Sequence, residues 1–180
     1  RLAIFSENGF EEHSYWSLEA RRHTDNYSET VDKVSFLLRD AVKRQMVSDV
    51  PVCTFLSGGV DSSVVTAIAS DFLKKQGKTL NTFSFDFTHN DEFFKANSFQ
   101  PTRDRPYVDK VLKEYPLRHT YLECDEATLA ELLPRAVESK DLPGMTDVDT
   151  SLMFFCSEVK KHNKVALTGE CADEIFGGYP

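Results

Sequence analysis

Residues 53–65 read CTFLSGGVDSSVV: an apolar strand ending at Ser57, two glycines that turn the backbone, and a helix opening on Asp61 and two further serines. Such a run demands a buried strand that passes through a tight turn into a helix N-terminus. Free backbone N–H groups and hydroxyls then converge beside the positive end of the helix dipole. An anion fits there, and a di- or triphosphate fits best. The Asp61 carboxylate at the same spot repels phosphate unless a divalent cation sits between them. The run therefore reads as a nucleotide site with Mg²⁺. The plainer alternative is a turn whose Ser and Asp only cap the helix. That needs one glycine and one cap, whereas residues 57–63 hold two glycines, an aspartate and three serines. The run is neither GxxxxGK[ST], which requires a lysine, nor GxGxxG.

The 180 residues suffice for one domain with a substantial core. A net charge of −8 with no basic run excludes a nucleic-acid-binding surface. No apolar run approaches the roughly 20 residues that span a bilayer, which argues against a membrane protein. The start, RLAIF, has neither an initiator methionine nor the layout of a signal peptide, and the end, GGYP, stops straight after a motif. The chain thus reads as cut from a longer protein. Cys53, Cys124, Cys156 and Cys171 are scattered without CxxC or zinc spacing, and read as reduced thiols of a cytoplasmic protein.

Residues 1–27 read as polar and irregular, a connector from an upstream domain, with Tyr15, Trp16 and Leu18 as its apolar patch. Residues 28–47 carry a helical stripe of Val31, Val34, Leu38, Val42 and Met46, with Ser28 as N-cap. Residues 52–56 form a strand, and Val60, Val64, Ile68 and Leu73 line the helix after it, which Gly77 ends. Residues 80–87 form a strand with Phe83, Phe85 and Phe87 on one side. A long loop follows over 88–105, then a helix over 107–115 and a strand over 118–123. Asp125 caps a further helix that Pro134 kinks or divides. A loop over 141–149, turning at Pro143 and Gly144, leads to a helix over 152–161 and a last strand over 164–168. Strands alternating with helices call for an α/β fold, a parallel twisted sheet with helices on both faces. Ligands of such sheets bind beyond the carboxyl ends of the strands, where Ser57, Asp86 and Thr168 lie.

The second dense cluster is LTGECADEIFGGY over residues 167–179. Glu170, Asp173 and Glu174 give three carboxylates in five residues beside flexible glycines. Alone this is a solvated acidic turn; after a buried strand and opposite a phosphate loop it is a candidate metal and catalytic pocket. Asp173 is placed to share Mg²⁺ with Asp61, and Glu170 to act as a general base or to hold an incoming amine.

SGGVDSS matches the pyrophosphate loop (PP-loop) of N-type ATP pyrophosphatases, SGGxDSS. Together with TGECADEIFGGY it resembles the synthetase domain of glutamine-dependent asparagine synthetases, the asparagine synthetase B family, over essentially the whole chain. The family form of the second motif is SGEGxDExFGGY, from which Thr168, Cys171 and Ala172 depart. The resemblance implies adenylation of the aspartate side chain to β-aspartyl-AMP with loss of pyrophosphate, then attack by ammonia to give asparagine. It implies that Ser57, Gly58, Gly59, Asp61, Ser62 and Ser63 hold pyrophosphate. Asp61 and Asp173 take Mg²⁺, and Glu170 deprotonates the attacking ammonium or its adduct. Leu56, Phe85, Thr168 and Gly169 contact adenosine, largely through backbone, and Glu174 borders the substrate pocket. It also implies an N-terminal glutaminase domain and a downstream lysine, neither of which this stretch contains. Truncation near residue 180 is expected to expose apolar surface and to favour aggregation or a homodimer.

The acidic run DVDTS over 147–151 borders the aspartate pocket or simply caps a helix. His119 reads as a packed histidine and not a ligand, and Phe93, Phe94 and Phe99 as loop packing. Two rival functions remain. One is a related amidotransferase or β-lactam synthetase acting on another carboxylate, and the other a non-catalytic nucleotide-binding module.

Overall fold

A computed structural model describes residues 1–97, 101–142 and 144–178. The readings of Phe99, Pro143 and Tyr179 fall outside them, as does the side chain of Asp147. The chain divides into two compact units, Arg1–Phe36 and Leu37–Pro180.

In the first unit, β1 (Leu2–Ser6) and β2 (Gly9–His13) pair antiparallel, with Leu2 opposite His13 and Ser6 opposite Gly9. This corrects the reading of residues 1–27 as wholly irregular. Every residue of both strands is exposed, so no buried face imposed an apolar alternation. The cue was Asn8-Gly9, a strong hairpin signal, with Gly9 at φ +123°. Helix α1 (Tyr27–Gln45) runs through the unit boundary. It is capped by Asn26 and not by Ser28. The Glu29 N–H donates to Asn26 Oδ1 and the Asn26 N–H to Glu29 Oε2, each at 3.0 Å, a reciprocal capping box.

The second unit is built on a parallel sheet of β3 (Val52–Phe55), β4 (Leu80–Phe87), β5 (Leu117–Cys124) and β6 (Val165–Leu167), in the order β5-β4-β3-β6. Helices cover both faces. On one, Val52, Leu80 and Leu167 pack with Val42 and Met46 of α1 and with Ile68 and Ala69 of α2 (Val60–Lys74). On the other, Cys53 and Phe83 pack with Phe155 and Val159 of α6 (Thr146–Val159). Strand alternation explains the split: in β3, Val52 and Thr54 face α2 while Cys53 and Phe55 face α6.

Further expectations need correction. Of the expected α2 stripe, Ile68 is buried and Leu73 packs against the core, but Val60 is 78% exposed and Val64 is exposed as well; Ser62, Thr66, Ala69 and Ser70 complete the buried face. Small residues let α2 approach β3 closely, and Thr54 and Thr66 share a buried hydroxyl pair at 2.9 Å. The segment after β4 holds the one-turn helix α3 (Asn90–Phe93), and α4 (Arg105–Glu114) begins two residues earlier than the sequence suggested. Helix α5 (Glu126–Lys140), capped by the Asp125 side chain at 2.7 Å from the Thr128 N–H, runs through Pro134 undivided and packs on α6 with Ala136 buried. Helix α6 itself starts at Thr146, so the last four residues of the presumed 141–149 loop, and the whole acidic run over 147–151, are helical. Lys140 reaches Asp149 at 2.5 Å, and Thr150 is buried against the Thr146 carbonyl.

Candidate active site

The chain leaves β3 at Leu56, which is buried and clamped to the next strand. Its N–H donates to the Phe83 carbonyl at 2.9 Å, and its own carbonyl accepts from the Ser84 hydroxyl. Ser57 then emerges to solvent. Gly58 adopts φ +84°, and a Cβ there would lie 2.8 Å from the Asp104 carbonyl oxygen and 2.9 Å from Tyr107 Cβ. Only glycine fits between this loop and the start of α4.

Hydroxyls set the loop's shape. The Ser57 N–H donates to Ser62 Oγ at 3.2 Å, and the two serine oxygens lie 3.0 Å apart. Ser62 and Ser63 both donate to the Gly59 carbonyl, at 3.2 and 2.7 Å. Gly59 is the N-cap of α2 and offers no side-chain cap, and Ser63 makes the first intrahelical bond, to Gly59 at 3.1 Å. The N–H groups of Val60, Asp61 and Ser62 therefore precede the helical ladder, at the positive end of the dipole. That is an anion-binding geometry.

The loop after β6 meets this one directly. A Cβ on Gly169 would lie 2.6 Å from the Ser62 nitrogen and 2.9 Å from Asp61 Cβ, so the two loops touch backbone to backbone. Thr168 and Glu170 flank this contact and are exposed. Partial desolvation first, and the Glu170 charge second, push the exposed Cys156 thiol on α6 above its ordinary range. Cys171 adopts φ +68°, the left-handed conformation that explains a glycine as the usual residue of this motif. Helix α7 (Ala172–Phe176) carries Asp173, half-buried, and Glu174, exposed. The glycine pair folds back over Asp173: the Gly177 N–H donates to its carbonyl at 2.8 Å, and a Cβ on Gly178 would collide with its carboxylate.

Beside the loop, a cavity of about 410 Å³ opens at the carboxyl ends of β3 and β4. Leu56, Ser57 and Phe85 line it, three of the residues singled out from sequence. Glu170, Asp173 and Glu174 do not, nor do Thr168 and Gly169. They stand on the β6 side of the loop, as the strand order β4-β3-β6 dictates. The cavity also takes residues that no sequence motif marked: Asn90, Arg105, Val108, Tyr121 and Phe155. Arg105 donates to Glu123 at 3.0 Å and lies 4.2 Å over the Tyr121 ring, whose hydroxyl donates to Asp109 at 2.8 Å. Burial and Asp109 push the Tyr121 phenol above its ordinary range. His119 is a packed residue, its Nδ1 2.7 Å from the Thr82 hydroxyl, and burial lowers its pKa to about 4.

The described residues contain no group of three or more His, Cys, Asp or Glu side chains arranged to hold a metal ion. A Mg²⁺ that shares its shell with phosphate oxygens and water needs only one or two carboxylates, so this finding leaves the expectation at Asp61 and Asp173 as it stood. The described helices include none long and apolar enough to cross a membrane.

Residues 33–180 match the family model for asparagine synthase. The chain is 51% identical over 177 residues, 98% of its length, to asparagine synthetase [glutamine-hydrolyzing] 3 of Bacillus subtilis, and covers 29% of that protein. It is 36% identical to asparagine synthetase [glutamine-hydrolyzing] 1 of the same organism, over 83% of this chain and 21% of that one. It is also 30% identical to amidase chyE of Penicillium rubens, over 94% of this chain and 26% of that one. It spans less than a third of the length of each of these curated relatives. Among solved structures, NAD+ synthetase from Burkholderia pseudomallei matches with a TM-score of 0.45 at 13% identity, over 86% of this chain and 67% of that one. Given the match over residues 33–180, the chain belongs to the asparagine synthase family.

Proposed function

We propose that this chain supplies the ATP-cleaving site of a glutamine-dependent asparagine synthetase. The site activates the aspartate side-chain carboxylate as an acyl-adenylate with loss of pyrophosphate, and ammonia then attacks to give asparagine and AMP. The observation that carries this reading is the contact of Gly169 with the Asp61–Ser62 peptide. It sets a helix N-terminus shaped for phosphate against a loop bearing carboxylates, at the ends of adjacent parallel strands.

Each residue then has a physical task. The N–H groups at the start of α2, with the Ser57 and Ser63 hydroxyls, stabilise charge that builds on the departing pyrophosphate. Leu56 and Phe85 wall the nucleoside side of the cavity. Glu170, exposed beyond the loop contact, takes a proton from the incoming ammonium or its adduct. Asp61 and Asp173 would hold Mg²⁺, which would supply positive charge against the phosphates. Glu174 borders the acceptor pocket. Ammonia comes from a glutaminase domain of the same polypeptide, in keeping with the glutamine-hydrolyzing names of the relatives.

The test is product analysis with the full-length protein, ATP, Mg²⁺ and aspartate. Aspartate-dependent pyrophosphate release, with AMP and asparagine formed on adding ammonia, is the expected result. Pyrophosphate release that ignores aspartate would refute this acceptor, and no nucleotide turnover at all would refute the site.

A further inference from the structure

We propose that Asp109 is a positioning residue for the phosphate loop, acting through the Tyr121 hydroxyl and the first turn of α4. The inference rests on reading Ser57–Ser63 as the seat of the ATP phosphates. Two neighbours confine that loop: Gly169 presses on its Asp61–Ser62 peptide, and the start of α4 presses on Gly58. A Cβ on Gly58 would come within 2.8 Å of the Asp104 carbonyl oxygen, 2.9 Å of Tyr107 Cβ and 3.1 Å of the Val108 nitrogen. These atoms belong to one turn of helix, closed by bonds from the Tyr107 and Val108 N–H groups to the Asp104 carbonyl. Glycine has no side chain with which to hold its own place. Where that turn stands therefore decides where Gly58 stands, and with it Gly59, whose carbonyl receives the Ser62 and Ser63 hydroxyls.

A clasp of side chains between α4 and β5 holds the turn. Val108 is the one buried residue of α4, and a single apolar anchor leaves a helix free to pivot. Arg105 and Asp109 are four apart on the helix, and Tyr121 and Glu123 two apart on the strand, so each pair lies on one face. The Tyr121 hydroxyl donates to Asp109 Oδ1 at 2.8 Å, Arg105 donates to Glu123 at 3.0 Å, and the Arg105 guanidinium covers the Tyr121 ring. His119 meets the same ring edge-on at 4.4 Å and is itself bonded to Thr82, which fixes Tyr121 on the sheet. Arg105 and Tyr121 also line the cavity, so their loss would change the nucleotide's own wall. Asp109 is exposed and does not line it, and its path to the phosphates runs through the helix it stands on.

The experiment uses the full-length protein with Mg²⁺ and compares pyrophosphate with AMP as inhibitors of its aspartate-dependent ATP turnover, with urea unfolding of each variant alongside. Asp109→Ala is expected to weaken inhibition by pyrophosphate at least about fivefold and to leave that by AMP within about twofold. Asp109→Asn keeps the acceptor oxygen and should stay within about twofold of wild type for both. Tyr121→Phe should match Asp109→Ala for pyrophosphate, and the double variant should lose no more than either alone, since both break one bond. If Asp109→Ala does not fold, Tyr121→Phe decides by the same two inhibitors. Equal inhibition by pyrophosphate in Asp109→Ala and wild type overturns the role. An equal loss for pyrophosphate and AMP, the mark of a fold loosened throughout, overturns it as well, and so does an Asp109→Asn as impaired as Asp109→Ala. Wild type that turns over no ATP, or that pyrophosphate does not inhibit, overturns the loop assignment itself, and the inference with it.

Discussion

At Gly58 the backbone is left-handed and pressed against the carbonyl of Asp104. An alanine there meets both a conformational penalty and a clash with main chain that has no rotamer to escape into. Gly58→Ala should cost about 2 kcal/mol or more of stability, read from urea unfolding. Cys171 is the opposite case: a side chain already sits in the left-handed region. Cys171→Gly should gain up to about 1 kcal/mol, because relief of strain exceeds the added freedom of the unfolded chain. His119 gives a pH signature. In the unfolded chain its imidazole takes up a proton near the ordinary 6.5, and in the folded one only near 4. The folded state thus binds fewer protons between those values. Its stabilising effect is complete above about 6.5 and is lost as pH falls toward 4. The urea midpoint of wild type should drop over that interval more than that of His119→Gln.

Among the elements, α2 departs furthest from its sequence reading, for a physical reason. Apolar periodicity marks a helix face lined by large side chains, yet the inner face of α2 also uses the small Ser62, Thr66 and Ala69. Its register was therefore only partly visible to a hydrophobic pattern, through Ile68 and Leu73, while its start, set by the two glycines and Asp61, was legible. The Thr54–Thr66 pair tests this. Thr66→Val strands a buried hydroxyl and should cost about 1–3 kcal/mol, and adding Thr54→Val should restore part of it. The hairpin β1–β2 and the first turns of α6 were missed for related reasons. The hairpin buries nothing, and the start of α6 is held by the Lys140–Asp149 pair and a buried threonine, which carry no apolar period. At α1 the cue was present but sat two residues upstream, in Asn26 and its partner Glu29.

Over the whole molecule, the sheet order explains why one half of the site was readable and the other was not. The two motif loops follow β3 and β6, which are neighbours, and glycine-rich runs at strand ends announce themselves in sequence. The far wall of the cavity comes from β4, α3, α4 and β5. Arg105, Val108 and Tyr121 there belong to ordinary helix and strand patterns, and only the fold brings them to the phosphate loop. If the chain binds ATP as proposed, Gly169→Ala should weaken that binding by at least about tenfold. The added methyl would push on the Asp61–Ser62 peptide without touching the cavity. Titration with Mg²⁺ and ATP would check this, and unchanged affinity would show that the loop contact is not needed for phosphate binding.

That contact also limits how the protein can be rebuilt. With no side chain between Gly169 and the Asp61–Ser62 peptide, the two loops share one surface and cannot be exchanged singly. A transplant of either loop from a relative imports a backbone path cut to fit a different neighbour. Swaps meant to change the acceptor will succeed as matched pairs and fail as halves.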